Sequence, residues 1–121
     1  MRKVCLIVCT AFALLAQQGT QTLYLGQLTT ASATPGQNLP IPVAKHTLQV
    51  VVTGSPAACA IQLEGTLDKD ATASSATWAN LSGSQTCTAT VTFHVIDRAV
   101  NGVRANLTAL SGGTAPTVTI K

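Results

Sequence analysis

The chain has 121 residues, of which 46% are hydrophobic, 9% charged and 3% aromatic, and its formal net charge is +3 at neutral pH. Most of that charge lies at the start, because five basic and four acidic residues remain once Arg2 and Lys3 are set aside. The remaining charges are scattered, which excludes the basic patch that binding to nucleic acid or to an anionic membrane surface requires.

The N-terminus has the pattern of a secretory signal peptide. A basic start at Arg2 and Lys3 precedes an apolar run over 4–16. This run is shorter than the roughly 20 residues that a membrane-spanning helix needs. We therefore predict a leader over 1–19, with a mature N-terminus between about residues 14 and 20 and no stable membrane insertion after processing. An uncleaved anchor and a buried strand or helix of a cytosolic protein are the alternatives.

The remaining residues, 20–121, are predicted to form one domain. Residues 20–46 contain a first strand at 22–25 and a loop rich in Pro, Thr and Ser, and 47–121 contain the core. Strand-like segments recur at intervals of roughly 8 to 12 residues without an amphipathic helix, which predicts an all-β fold, an antiparallel β-sandwich, with a small barrel as the alternative. The dipeptide Asn101-Gly102 predicts a tight turn. The predicted core strands are 47–53, 59–67, 78–81, 86–95, 103–110 and 117–120.

Two of these segments, 59–67 and 86–95, alternate strictly between apolar and polar residues. Residues spaced by two share one face of a strand, so each segment predicts a half-buried strand with its cysteine on the apolar face. Cleavage of the leader removes Cys5 and Cys9 and leaves two cysteines, the even number that an oxidising compartment favours. The expected inward residues are Cys59, Ile61, Leu63, Leu67, Cys87, Ala89, Val91, Phe93 and Val95, and the expected outward residues are Gln62, Glu64, Thr66, Thr88, Thr90, Thr92 and His94.

Three segments together resemble a β-sandwich module that recurs in tailed-phage and prophage structural proteins. They are LEGTLD at 63–68, WANL at 78–81 and VRANLTALSGGTAPTVTI at 103–120. The same layout is similar to that of discoidin-type carbohydrate-binding domains. The resemblance implies a jelly-roll or galactose-binding-like sandwich, with the tryptophan packed beneath the sheet. Lys69-Asp70 and the residues after it depart from the tight Asp-Gly-Gly turn of the family, and a leader and a cysteine pair are unusual for virion proteins.

The residues support a structural disulfide better than a reactive site. Cys59 and Cys87 are predicted to form it because both face the core; a metal half-site or a redox pair is the alternative, but the two lack CxxC spacing and an adjacent histidine. Neither a GxSxG elbow nor an HExxH motif occurs, so we expect no enzyme and no cofactor. Three carboxylates, those of Glu64, Asp68 and Asp70, are a weak calcium candidate, with a solvated turn as the alternative.

Trp78 and Arg104 are the candidate contacts to a glycan or a protein partner. An exposed Trp78 stacks on a sugar ring, whereas a buried one belongs to the core. Arg104 lies on the polar side of its strand, where it either contacts a partner or forms a surface ion pair with Asp97 or Glu64.

The predicted function is assembly or adhesion by a secreted, periplasmic or virion-associated β-sandwich without catalysis. A small discoidin-like carbohydrate-binding module is the alternative, and a periplasmic inhibitor-like domain is a weaker one. The Thr-rich strands carry few of the charges that normally protect sheet edges. We expect the chain to bind itself or a larger structural protein through an edge strand, and we place that edge at the last strand, 117–120. Glycan is a further expected partner, and nucleic acid is not.

Overall fold

The protein is a sandwich of two antiparallel sheets in a computed structural model that describes residues 22–43, 45–95, 98–113 and 116–121. The predicted leader lies outside the described residues. The described residues contain no helix that is long and apolar enough to cross a membrane. The strands are β1 (Gly26–Leu28), β2 (Gln37–Val43), β3 (His46–Thr53), β4 (Ala58–Thr66), β5 (Ala79–Asn80), β6 (Gln85–Thr86), β7 (Val91–Val95), β8 (Val100–Ser111) and β9 (Thr117–Ile120).

The predicted fold class, an all-β antiparallel sandwich, is confirmed. The first sheet has the order β1-β9-β3-β7, and the second has the order β2-β8-β4-β5, with β6 also paired to β4. Every strand pair among the described residues is antiparallel.

Alternating apolar residues of the two sheets form one core between them. The central strands β3 and β9 contribute from the first sheet and β4 and β8 from the second, because strands with neighbours on both sides bury one whole face. Val103, Ala105 and Leu107 of β8 alternate along the strand and are all buried. The fully buried larger side chains are Leu48, Ile61, Leu107, Ile120, Val50, Val118 and Cys87.

Several strand boundaries differ from the prediction. The first strand begins at Gly26 instead of Thr22, although the N–H of Leu25 already donates to the carbonyl oxygen of Ile120. The strand β2 was not predicted, because Pro40 and Pro42 suggested a loop; as an edge strand, β2 tolerates residues that lack an N–H. Asn101-Gly102 forms no turn, because both residues lie inside the 12-residue strand β8.

The segment 86–95 is two strands instead of one. Gln85 and Thr86 pair with β4 in the second sheet, and Val91–Val95 pairs with β3 in the first. The residues between them cross from one sheet to the other, so Ala89, expected to face inward, is exposed. Thr88 and Thr90 are exposed as expected but lie outside any strand. The side chains of His94 and Val95 lie outside the described residues.

The last strand, β9, is not at an edge. It pairs with β1 on one side and β3 on the other, so the predicted docking edge at 117–120 is wrong. The edges of the first sheet are β1 and β7, and those of the second are β2 and β5. The first described strand pairs with the last, and the alternation of β9 alone does not predict this pairing.

Candidate functional site

A cleft of about 450 Å³ opens at one end of the second sheet, where β4 ends and β8 begins. We call it the Trp78 cleft. Its wall is mostly apolar, and its polar and charged side chains come from the end of β4, the loop that follows it and the approach to β8. Clefts of a few hundred Å³ with an apolar wall and a few polar groups are the usual form of small-ligand sites. The cleft is lined by Leu67, Trp78, Ala79, Leu81, Ala99, Val100, Gly65, Thr66, Asp68, Thr77 and Arg98.

Leu67 is the most exposed large apolar side chain of the cleft. It was expected to face the core, but 73% of its surface is exposed. The alternation ends with β4 at Thr66, so the periodicity that placed Leu67 inward no longer applies one residue later. An exposed leucine beside a tryptophan gives the cleft an apolar surface that water covers poorly.

Trp78 is half-buried and is held in place from two sides. The guanidinium carbon of Arg104 lies 4.4 Å from the ring centroid, within the range of a cation–π contact. The backbone of Gly36 lies so close that a Cβ there would be 2.6 Å from Cζ2 of the indole. The two predicted contact residues, Trp78 and Arg104, are therefore brought together, and their contact fixes the orientation of the ring.

Arg104 in turn is bound to Glu64. Its Nε donates to Oε2 of Glu64 over 2.6 Å, which is the only ion pair within the described parts of the chain. Glu64 also accepts hydrogen bonds on Oε1 from Gln62 and Asn106, both over 2.8 Å. The predicted alternative, an ion pair between Arg104 and Glu64, is thus present, and it continues into a polar network on the outer face of the second sheet. Asn80 extends this network by donating to Oε1 of Gln62 over 2.7 Å.

Glu64 and Thr66 were expected to face water, and both are buried, with 6% and 2% of their surface exposed. Glu64 is enclosed by its partners Gln62, Arg104 and Asn106, and Thr66 lies beside Gly102 where the loop over 68–77 packs on the outer face of the sheet. Ala71 of this loop packs directly on Gly102, where a Cβ would lie 2.2 Å from the Cβ of Ala71. A pattern confined to β4 contains no information about a covering loop, so alternation placed both side chains in water.

The pKa of Glu64 reflects opposing effects. Burial raises the pKa, but hydrogen bonds from Asn106, Arg104 and Gln62, together with the positive charge of Arg104, outweigh burial and hold the pKa below its ordinary value. Glu64 is therefore a charged, satisfied structural group. It has neither the raised pKa of a general acid nor a free lone pair aimed at the cleft.

The loop over 68–77 is held by its own acidic residues. Oδ2 of Asp68 accepts from the N–H of Thr77 over 2.6 Å and from Oγ1 of Thr66 over 3.2 Å. Oδ1 of Asp70 accepts from the N–H and the hydroxyl of Thr72, and these two bonds, followed by the one from Asn38, lower the pKa of Asp70. Glu64, Asp68 and Asp70, the calcium candidate, thus have separate protein partners, and within the described residues no three such side chains are grouped to hold a metal ion.

Cys59 and Cys87 form the expected disulfide, with a Cα–Cα distance of 4.9 Å. Both are buried, and the N–H of Cys87 also donates to the carbonyl oxygen of Cys59 over 2.9 Å. The bond joins the centre of the second sheet to the first residue of the crossing toward β7. It lies inside the core cluster, which makes it a structural bond and separates it from the cleft.

Arg98 is the charged residue of the cleft that the sequence did not indicate. Its side chain is exposed, and it has no ion pair with a carboxylate among the described residues. A lone arginine ahead of a strand has no distinctive pattern, so only the fold reveals its position. Nε2 of His46 lies 3.3 Å from the backbone carbonyl oxygen of Arg98. This contact links the residues before β8 to β3.

No protein-family model and no curated protein matches the chain. Among solved structures it is similar to the SPBc2 prophage-derived protein YomS, with a TM-score of 0.47, 11% identity, and 82% of this chain and 90% of that chain covered. It is also similar to a Family 16 Carbohydrate Binding Module-2, with a TM-score of 0.37, 12% identity, and 78% of this chain and 70% of that chain covered. The resemblance stated from the residues is confirmed to the extent that both kinds of protein are found. At these TM-scores neither similarity indicates what this chain binds.

Proposed function

We propose that this protein is a non-catalytic adhesion module that binds a carbohydrate in the Trp78 cleft. The observation that carries the proposal is the combination of a fixed tryptophan and an exposed leucine in the wall with an exposed arginine at the rim that has no carboxylate partner among the described residues.

The chemistry of a sugar ring suits this arrangement. One face of a pyranose presents C–H groups that pack on an apolar or aromatic wall, and its edge carries hydroxyls that need hydrogen-bond partners. Arg98 offers several N–H donors in one plane, and Asp68 has a second carboxylate oxygen, Oδ1, beside the one that accepts from Thr66 and Thr77. The indole ring of Trp78 is already held by Arg104, so it loses little conformational freedom when a sugar binds, and this favours affinity.

The proposed location is outside the reducing cytoplasm, in a secreted, periplasmic or virion-surface setting. The buried Cys59–Cys87 bond supports it, because disulfides persist in oxidising compartments. The basic start and short apolar run of the N-terminus support export as well.

The test is a glycan array on the purified protein, followed by calorimetric titration of the best sugar against three proteins. We expect Arg98→Ala to weaken binding at least tenfold, about 1.4 kcal/mol or more, without a change in melting temperature. Lys69→Ala is the matched control, since it removes an exposed positive charge that does not line the cleft, and its affinity should equal that of the parent.

Two results would contradict this function. One is the absence of any sugar signal on the array, and the other is a sugar whose affinity is unchanged in both Arg98→Ala and Leu67→Ser. Leu67 is mostly exposed, so its replacement tests the apolar wall without removing core volume.

Assembly is the second candidate function, and the unprotected edge of β7 favours it.

A further inference from the structure

The sheet edges within the described residues are not equally protected. β1 has three residues, and β5 and β6, which both pair with β4, have two each, so none of them presents a long row of free backbone groups. β2 contains Pro40 and Pro42, which lack an N–H and therefore cannot donate to a new strand. Short strands and prolines are the usual means by which proteins prevent edge-to-edge pairing.

β7 has none of these protections. It is five residues long, VTFHV, and contains no proline and none of the permanently charged residues Lys, Arg, Asp and Glu. One side pairs with β3 from His46↔Val95 to Val50↔Val91. On its other side no strand of the described residues pairs with it, so none of the described strands takes up the backbone groups that point away from β3.

The side chains of β7 also leave apolar surface at this edge. Val91 and Phe93 pack against the core cluster but remain only partly buried. Thr92, between them, is exposed on the outer face of the sheet. A strand added beside β7 covers the remaining surface of Val91 and Phe93 while it pairs the free backbone groups.

From this geometry we propose that β7 pairs with β7 of a second copy of this chain, antiparallel and with a twofold axis at Phe93. Val91 then lies opposite Val95 of the second copy, Thr92 opposite His94, and Phe93 opposite its own equivalent. The pairing joins two four-stranded sheets into one of eight strands and leaves both Trp78 clefts in the other sheets.

The occupant is a second copy because β7 is complementary to itself in this register. The register sets Phe93 opposite Phe93 and a β-branched residue opposite a β-branched residue, and such pairs are favourable across strands. The sequence of β7 has no Lys, Arg, Asp or Glu, so no like charges of these residues meet. Twofold pairing also uses both β7 edges and leaves neither of them free to extend the assembly.

An interface of five residues per copy lies at the small end of the range, below about 1,200 Å², so the dimer should dissociate on dilution. We expect sedimentation equilibrium of the full chain to show a monomer–dimer equilibrium. Hydrogen exchange provides a readout without mutation, since amides of 92–94 that face away from β3 should become more protected as the protein concentration rises.

Thr92→Lys should raise the dimer dissociation constant at least tenfold, because it places a charge on the shared edge. Thr88→Lys is the matched control: the same substitution at an exposed threonine outside the strand should leave the constant unchanged. The double variant Thr92→Lys with His94→Glu should restore dimerisation, because the proposed register sets the new lysine opposite the new glutamate of the other copy. Circular dichroism and melting temperature confirm that each variant is folded.

The proposal is overturned by a protein that remains monomeric at the highest concentrations reached, or by a dimer that loses affinity equally in Thr92→Lys and Thr88→Lys. Failure of the double variant to dimerise overturns the register. If Thr92→Lys does not fold, exchange at 92–94 decides: protection independent of concentration rejects the dimer. These outcomes are separate from sugar binding, because Arg98→Ala should leave the dimer intact.

Discussion

The carboxylate of Glu64, on the outer face of the second sheet, makes the stability of the fold depend on pH. It is buried, its pKa in the folded chain lies below the ordinary value of 4.5, and its oxygens accept from three neighbours. A carboxyl group whose pKa is lower in the folded than in the unfolded state contributes stability above the unfolded pKa and loses it as pH falls through the folded pKa. The contribution of Glu64 is therefore complete at neutral pH and declines below about pH 4.5.

Replacement of Glu64 by Gln tests this account. We expect Glu64→Gln to lower the free energy of unfolding by about 1–3 kcal/mol at pH 7, because Arg104 loses its charged partner. The difference from the parent should shrink as the pH is lowered below about 4.5, since the parent carboxylate then becomes neutral as well. Urea unfolding at several pH values measures it. A difference that stays constant down to the acid limit contradicts the assignment.

Two glycines distinguish close packing from backbone conformation. A Cβ on Gly102 would lie 2.2 Å from the Cβ of Ala71, whereas Gly83 has open space but a φ of +68°. We expect Gly102→Ala to cost about 1–3 kcal/mol or more through overpacking, and Gly83→Ala to cost about 1 kcal/mol through strain. Gly83→Asn should recover part of the latter, because asparagine tolerates a positive φ. Thermal unfolding measures all three, and a Gly102→Ala variant as stable as the parent contradicts the packing of the loop on the sheet.

Among the elements, the strands that alternation specifies were predictable. β3, β4 and β9 lie where their periodicity placed them, because each buries one face against the other sheet. β2 was not predicted, because its prolines are typical of a loop. The break before β7 was not predicted either, because alternating Thr and Ala residues have the pattern of a continuous strand. Small residues fit either face of a sheet, so their pattern does not fix where the chain leaves it.

The candidate site was predictable one residue at a time but not as an assembly. Trp78 and Arg104 stood out as an aromatic and a cation on polar segments, and their contact depends on Gly36, which is far away in the sequence. Alternation placed Leu67 in the core and nothing in the sequence indicated Arg98, since the position of both depends on two strand ends meeting at one cleft. Such non-local geometry follows from the sheet order, which a strand pattern does not contain.

The disulfide anchors the element that crosses between the sheets. Cys87 follows β6 directly and is bonded to Cys59 of β4, at a sequence separation of 28. In the chain-entropy model, closing a loop of this length stabilises the fold by roughly 3 kcal/mol.

We expect the double variant Cys59→Ser, Cys87→Ser to melt at a lower temperature and to keep the β-sheet circular dichroism of the parent. The buried positions make this loss larger than that of an exposed disulfide, because two hydroxyls enter the core as well. Reduction of the parent under denaturing conditions, followed by refolding without oxidant, isolates the effect of the bond alone. A reduced protein that melts at the parent's temperature contradicts the prediction.

At the scale of the whole molecule, one core joins two sheets, and the two proposals concern different sheets. The second sheet carries the Trp78 cleft and the network around Glu64, and the first carries the edge strand β7. The proposed sugar binding and the proposed dimer are therefore compatible with each other. A dimer with two clefts binds a surface that displays many sugars more tightly than a monomer does.

Export is the prediction that concerns the N-terminal residues. We expect the protein recovered outside the cytoplasm to begin between about residues 14 and 20, because the basic start and apolar run have the features of a cleaved leader. N-terminal sequencing or intact mass measures it. Exported protein that retains Met1 contradicts the prediction and favours the uncleaved anchor.

The pairing of β1 with β9 has a mechanical consequence. Gly26 lies directly opposite Ile120, and the two strands are antiparallel, so the first and last described strands have their outer ends side by side. A pulling force applied to the Gly26 end of β1 and the Ile120 end of β9 loads the hydrogen bonds between the two strands one after another. It does not load them all together. Tension applied through Gly26 and Ile120 should therefore detach β1 from β9 one hydrogen bond at a time.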